Sequence, residues 1–99
     1  MSVRNHLFGY EVVLSKRAEK SLDKLPNKIH KDIIEKLDQL VALDHNLDIK
    51  KLDGHKNFYR IRFGNYRIVY EPLNDQVIVY VLLIGHRKDI YVELKKLVL

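Results

Sequence analysis

The chain has 99 residues, enough for one domain, and we expect a single domain over residues 1–99. It contains no cysteine, which excludes a disulfide scaffold, a thiolate zinc site and a thiol nucleophile. No apolar run approaches the ~20 residues that span a bilayer, and the first residues lack a signal-peptide core, so we expect a cytoplasmic protein with no membrane partner. The formal net charge is +5, and it is uneven: residues 1–50 carry 9 basic and 8 acidic residues, whereas residues 51–99 carry 9 and 5. This basic second half favours a polyanionic partner, either a nucleic acid or an acidic protein.

The N-terminal half predicts one strand followed by two helices. Residues 10–14 (YEVVL) form a β-branched run typical of a strand, and Ser15 follows as a candidate helix N-cap. Apolar residues at helical spacing predict a short helix over 16–24 and an amphipathic helix over about 27–43. Pro26 separates them and suits the first position of the second helix, so we expect a helical hairpin.

The C-terminal half predicts antiparallel strands. Residues 44–57 are polar and predict a connection, with a short extended piece at 49–52. Three strands follow, over 58–63, 66–71 and 76–85, separated by turns at Gly64-Asn65 and at 72–75. The third of these strands is nearly all apolar, so it should be central and covered on both faces. The tail beyond it predicts a short helix or an extended segment.

This order predicts an α+β domain with three arginines on the second face of its sheet. It is β-α-α-β-β-β, with an optional terminal helix, and the helical hairpin should pack on one face of a mostly antiparallel sheet. Arg60 and Arg62 share a face by alternation, and Arg67 lies opposite Arg62 across the turn. Glu71 is the only acidic residue expected nearby. Three like charges repel unless an anion occupies the site, so two interpretations stay open: a polyanion-binding face and a solvated sheet face.

A second motif, GHRKDIY, follows the predicted central strand directly. His86 offers an imidazole, a group that titrates near neutral pH, and Arg87 offers a cation that can bind a phosphate with two hydrogen bonds. Tyr91 offers a phenol, and a phenol beside cations loses its proton more easily. The structural alternatives are a strand-end histidine bonded to backbone and a tyrosine that anchors the tail.

Such a set can cleave RNA without a metal ion. Attack of the 2′-OH on the adjacent phosphorus needs a base, an acid and cations that stabilise the developing charge. Few carboxylates accompany the arginines, which disfavours a magnesium nuclease, and we expect neither a metal site nor a cofactor. The remaining histidines show no metal-ligand spacing; they are His6, His30, His45 and His55. The residues alone predict a phosphate-binding face that could belong to a ribonuclease.

The chain resembles the RelE branch of the RelE/ParE toxin superfamily. The similarity lies in KKLDGHKNFYRIRFGNYRIVYE, VYVLLIGHRKDIY and the N-terminal VVLSKRAEKSLDKLP, and it extends from about residue 10 to residue 91. The resemblance implies the same fold order as above. It also implies a toxin of a type II toxin–antitoxin pair that enters the ribosomal A site and cuts mRNA without a metal ion. The implied partners are the ribosome, mRNA and a cognate antitoxin whose acidic, amphipathic segment wraps the toxin.

The resemblance also assigns roles to individual residues. The basic positions that bind the phosphate fall on Arg60, Arg62 and Arg67. The late arginine, an acid or charge stabiliser, falls on Arg87, and the proposed tyrosine base falls on Tyr91. Two departures matter: the first two positions are often lysines in the family, and the interval from Arg87 to Tyr91 is shorter than in some members. His86 is therefore a rival acid or base.

Two other functions are compatible with the same fold. One is a ParE-like toxin that inhibits DNA gyrase by binding and cuts nothing, although the full set of arginines argues against it. The other is a catalytically inactive homologue that only binds its antitoxin. Fold alone does not decide among these functions.

Overall fold

A computed structural model describes residues 3–5, 11–42, 46–54, 57–73 and 78–98 of the chain. The described part has six strands and three helices: β1 (Val3–Asn5), β2 (Glu11–Leu14), α1 (Lys16–Asp23), α2 (Asn27–Val41), β3 (Asp48–Lys51), β4 (Tyr59–Phe63), β5 (Tyr66–Leu73), β6 (Ile78–His86) and α3 (Ile90–Val98). Among these helices, none is both long and apolar enough to cross a membrane.

The strands form one sheet in the order β1-β2-β6-β5-β4-β3. All neighbours are antiparallel except β2 and β6, which run parallel. The predicted α+β class is confirmed, and the apolar strand β6 is central, as its composition requires. Two strands extend the predicted order: the short extended piece expected at 49–52 is the strand β3, and β1 was not predicted.

The helical hairpin is also confirmed, and it packs on one face of the sheet. The Ser15 hydroxyl caps α1 by accepting from the Ala18 backbone N–H at 3.0 Å. The apolar stripes of α1 and α2 are fully buried against β2, β4, β5 and β6; they comprise Ala18, Leu22, Ile33, Leu37 and Val41. Pro26 is the N-cap of α2 rather than its first residue, and α2 ends at Val41, so the predicted bounds differ by one or two residues at these ends.

The helix α3 covers part of the second face of the sheet. Ile90 and Leu94 are each 2% exposed and pack on Val69 and Leu83. The tail is therefore a helix, the first of the two predicted possibilities. The central strand β6 is covered on both faces, as predicted.

The strand β5 continues through Pro72 and Leu73, where the sequence predicted a turn. Proline is tolerated because β4 pairs with β5 only as far as Tyr70, so no neighbouring strand needs an N–H from Pro72 on that side. The side chain of Asn57 instead donates to the Pro72 carbonyl at 3.2 Å. The rest of the predicted turn, 74–75, lies outside the described residues.

Candidate active site

The hairpin of β4 and β5 places the arginines as the alternation predicted. Arg62 is the direct cross-strand partner of Arg67, and Arg60 is the partner of Val69. Since Val69 packs under α3, this is the second face of the sheet, opposite the helical hairpin. Arg60, Arg62 and Arg67 therefore share one face, and the two that lie nearest the hairpin tip are adjacent.

A carboxylate that was not predicted lies on the same face. Asp48 of β3 is the cross-strand partner of Arg62. Its Oδ2 accepts from Nε of Arg62 at 2.6 Å, and its Oδ1 accepts from Nη1 of Arg60 at 3.1 Å. The hydrogen bond from Arg60, with a smaller contribution from the charge of Arg62, holds the pKa of Asp48 below its ordinary value of 3.8. The expectation that Glu71 would balance these arginines was wrong: Asp48 does so for two of the three.

Arg67 satisfies its guanidinium on backbone carbonyls rather than on a carboxylate. Its Nη1 donates to the carbonyl oxygens of Gly64 at 3.0 Å and Tyr66 at 2.8 Å. Both acceptors belong to the hairpin tip, where Gly64 adopts a φ of 55° that L side chains rarely adopt. The side chain of Arg67 thus lies along the turn, with its positive charge uncompensated by any described carboxylate.

The segment after β6 returns to the same hairpin tip. The backbone N–H of Arg87 donates to the Asn65 carbonyl at 2.7 Å, which fixes this arginine beside the turn. The side chain of Arg87 is exposed and forms no hydrogen bond or ion pair within the described residues. Gly85 is the cross-strand partner of Arg67, so the row across the sheet reads Asp48, Arg62, Arg67, Gly85. The strand register and this backbone bond thus bring Arg62, Arg67 and Arg87 to the same hairpin tip.

His86 lies on the other face of the sheet. Its cross-strand partner is Tyr66, and the two rings meet edge to face with centroids 5.8 Å apart. Its Nδ1 accepts from the backbone N–H of Lys88 at 3.2 Å, which leaves Nε2 as the nitrogen that carries the proton in a neutral ring. The backbone-bonded histidine, one of the two sequence alternatives, is thus the arrangement found.

Tyr91 occupies the first turn of α3. It directly follows Ile90, whose Cδ1 lies 3.4 Å from the position that a Cβ on Gly85 would take. The Tyr91 side chain is 43% exposed and forms no hydrogen bond or ring contact among the described residues. The apolar anchors of the tail are Ile90 and Leu94 rather than Tyr91.

Sequence reasoning also missed Lys50. It is the exposed cross-strand partner of Arg60 and therefore extends the basic face toward the β3 edge of the sheet. The signal was present in DIKK, where period two puts Asp48 and Lys50 on one face. The sequence alone does not show that this segment pairs with β4, so Lys50 was not placed beside Arg60.

The chain is similar in sequence and structure to toxins of toxin–antitoxin systems. Residues 12–91 match the family model described as ParE toxin of type II toxin–antitoxin system. The chain is 44% identical over 85 residues to Toxin RelE3 of Methanocaldococcus jannaschii, an alignment that covers 82% of this chain and 94% of that protein. It is 29% identical to the mRNA interferase toxin RelE of Escherichia coli, with coverage of 92% and 99%.

A solved structure shows the same fold. The crystal structure of a RelB–RelE antitoxin–toxin complex from Methanococcus jannaschii matches with a TM-score of 0.67 and 36% identity, over 80% of this chain and 94% of that one. The resemblance expected from the sequence is confirmed by both kinds of comparison. The chain belongs to the ParE toxin family of type II toxin–antitoxin systems, within the RelE-like toxin superfamily.

Proposed function

We propose that this protein is an mRNA endoribonuclease that acts in the ribosomal A site without a metal ion and is held inactive by a cognate antitoxin. The observation that carries the proposal is the gathering of Arg62, Arg67 and Arg87 at one hairpin tip. A ParE-like inhibitor that acts by binding alone does not need such a set. The similarity to an mRNA interferase supports the same activity.

The proposed reaction is an internal transesterification of RNA. A base removes the proton of the 2′-OH, the O2′–P bond forms, and the P–O5′ bond breaks as an acid protonates O5′. The products are a 2′,3′-cyclic phosphate and a 5′-hydroxyl. The phosphorane between them carries about one more negative charge than the diester, so cations fixed nearby favour it over the ground state.

We assign the base, the acid and the phosphate-binding groups from the position of each side chain. Arg62 and Arg67 hold the phosphate, and Arg87 stabilises the developing charge or protonates the leaving oxygen. Tyr91 is the proposed base because it is 43% exposed and lies at the start of α3. Arg60 has a side chain only 14% exposed, so it contributes charge from beneath the site rather than a contact.

His86 remains the alternative acid or base. Its ring lies on the face of Tyr66, so reaching the phosphate would require an approach around the end of β6. Because neither candidate base is held against the arginines by a described hydrogen bond, isolated RNA should be cut slowly or not at all. The ribosome would supply the in-line alignment of the 2′-OH.

The test is toeprinting on programmed ribosomes with an empty A site. Wild-type protein should produce a new mRNA 3′ end within the A-site codon, and Arg87→Ala and Tyr91→Phe should lose it or slow it by about 10²-fold or more. Lys20→Ala is the matched control, because it removes one exposed positive charge from α1 on the far side of the sheet. It should cleave like wild type.

Other outcomes point to specific alternatives. Cleavage that survives Tyr91→Phe but fails in His86→Gln moves the acid–base role to His86. A folded wild-type protein that never cleaves contradicts the proposal, and DNA supercoiling by gyrase is then the next assay. The family model supports that order, because it describes ParE toxins.

The proposed antitoxin partner carries an acidic, amphipathic segment that folds on binding. The positive charge of the basic face supports an acidic partner, because opposite charges attract. The similarity to a toxin solved in a RelB–RelE complex supports the proposal that this partner is an antitoxin. Equimolar antitoxin should abolish cleavage in the toeprinting assay. If cleavage continued at full rate in a complex shown to be stable by gel filtration, inhibition by covering the arginine site would be refuted.

A further inference from the structure

The carboxylate of Asp48 binds two of the arginines at once and places a negative charge within the basic face. A negative charge next to the proposed phosphate position repels RNA. The Asp48–Arg62 pair is exposed, and exposed ion pairs contribute little to stability, so stability alone is a weak reason for this second bond. A function for Asp48 in the site accounts for both facts.

The two arginines are held in different ways. Arg60 is 14% exposed, and its Nη1 donates both to Oδ1 of Asp48 at 3.1 Å and to the Asp48 carbonyl oxygen at 3.2 Å. Arg62 is 56% exposed and gives Asp48 only its Nε, at 2.6 Å. Nη1 and Nη2 of Arg62 bond to no described residue, so four N–H donors at the outer edge of its guanidinium are available to a ligand.

The Nε bond also restricts the orientation of Arg62. A guanidinium is planar, so fixing Nε against Oδ2 limits the directions in which the outer edge can point. Asp48 stands directly opposite Arg62 in the register, on the side away from Arg67. The carboxylate thus holds the inner edge of the guanidinium and leaves the outer edge free.

We propose that Asp48 is a positioning residue, which orients Arg62 for the scissile phosphate and limits ground-state binding by offsetting one positive charge. This inference rests on the proposed function. The four arginines of the proposed site, Arg60, Arg62, Arg67 and Arg87, carry a charge of +4, and Asp48 reduces it to +3. The lower charge weakens the attraction for any RNA phosphate, while a fixed guanidinium favours the more highly charged transition state. Asp48 therefore lowers the affinity for RNA and raises the rate of cleavage.

Asp48→Asn tests this exchange with a nearly isosteric change. The amide keeps an acceptor oxygen and the backbone carbonyl that Arg60 uses, but it loses the charge that fixes Arg62. We expect affinity for a single-stranded RNA oligonucleotide to rise several-fold, with a salt dependence steeper by up to about 0.7 in the log–log slope. Single-turnover cleavage on the ribosome at saturating toxin should fall by about tenfold or more.

Two further variants separate charge from geometry. Asp48→Glu restores the charge one methylene farther out, so RNA affinity should return to the wild-type value while the cleavage rate stays low. Asp53→Asn removes one exposed negative charge from the turn after β3 and is the matched control. It should change neither RNA affinity nor cleavage by more than about twofold, since screened surface charges act weakly at a distance.

The NMR signal of the Arg62 Nε–H gives a readout that does not depend on cleavage. In wild type it should exchange slowly with solvent because of the bond to Asp48, and in Asp48→Asn it should exchange faster. Unchanged affinity and rate in Asp48→Asn, or the same split in Asp53→Asn, would overturn the proposal. A parallel loss of affinity, rate and unfolding free energy would overturn it too, since that pattern is one of structural damage.

These failures differ from a failure of the proposed function. If wild type cleaves and Asp48→Asn cleaves equally fast, only the positioning role is refuted. If wild type itself does not cleave, the proposed function and the positioning role are both refuted, even where the oligonucleotide affinity still rises in Asp48→Asn.

Discussion

Ser15 joins the helical hairpin to the central strand, and its replacement by alanine should destabilise the protein strongly. The residue is 9% exposed and stands between β2 and α1. Its hydroxyl donates to the Leu82 carbonyl at 2.8 Å while accepting from the Ala18 N–H at 3.0 Å. Its backbone N–H donates to the Val81 carbonyl at 2.9 Å. One side chain therefore caps a helix and satisfies a carbonyl of β6 just past the point where β2 stops pairing.

The cost of Ser15→Ala follows from these two bonds. Loss of a serine N-cap costs about 1 kcal/mol, and a buried carbonyl left without a donor costs about 1–3 kcal/mol. Together they predict a loss of about 2–4 kcal/mol in the free energy of unfolding. For a domain of this size, that lowers the Tm by roughly 10–25 °C. The backbone bond to Val81 is untouched, so the fold itself should persist.

Urea denaturation followed by far-UV circular dichroism measures this difference directly. The transition midpoint should fall in Ser15→Ala while the m-value stays constant, since the surface exposed on unfolding is the same. Ser21→Ala in the same helix is the matched control, because the Ser21 side chain has no hydrogen bond within the described part of the chain. It should lie within about 0.5 kcal/mol of wild type. If the two variants were equally stable, the reasoning from the Leu82 bond would be refuted.

Two further predictions concern the sheet and its cover. Burial, and to a smaller extent the neighbouring Tyr59, raises the pKa of Tyr70 to about 12. The contribution of the neutral Tyr70 phenol to the free energy of unfolding is therefore complete below the unfolded-state pKa of about 10 and is lost as pH rises toward 12. In urea titrations, wild type should lose up to about 2–3 kcal/mol over this pH range, whereas Tyr70→Phe should not show this loss. Identical pH profiles for the two proteins would contradict this prediction. Leu94→Ala should cost about 2–5 kcal/mol and speed amide exchange in α3, because Leu94 is 2% exposed, whereas Val92→Ala, at a position 56% exposed, should change little. Equal exchange in these two variants would show that α3 does not dock through Leu94.

The sequence predicted the elements that have a clear period. The two helices and the strand β4 were found because apolar residues repeat at 3.6 or at two. The strand β6 was found because its residues are nearly all apolar, and Gly64 marked the turn between β4 and β5. The strand β1 was missed because three residues, VRN, carry no period that can be recognised. Pro72 was misassigned because proline usually ends a strand, and only the strand order reveals that its side of β5 has no partner there.

In the candidate site too, local patterns predicted what lies within one hairpin but not what depends on pairing between distant strands. Alternation was enough to place Arg60 and Arg62 on one face, and the turn length was enough to place Arg67 beside them. Asp48 is 12 residues from Arg60 in the chain, and their contact depends on the pairing of β3 with β4, which no local pattern reveals. The face of His86 likewise follows from the register of β6 with β5, not from the motif in which it stands.

The pairing of Arg62 with Arg67 raises a question that the geometry answers. Like charges directly opposite each other on two strands are destabilising. Each guanidinium has its own acceptors on a different side: Arg62 bonds to Asp48 of the neighbouring strand β3, and Arg67 bonds to the carbonyls of the hairpin tip. The protein thus tolerates two adjacent cations in the absence of a bound anion.

This arrangement has a consequence for binding. Arg62 keeps four N–H donors at Nη1 and Nη2, and Arg67 uses only Nη1 for the two carbonyls, so a phosphate can bind both without breaking the contacts that hold them. The repulsion between the two guanidinium groups is then largely offset by contacts made in folding, not by contacts made in binding. A site assembled in this way needs little reorganisation when charge develops on the phosphate, which is the condition under which fixed cations accelerate a reaction most.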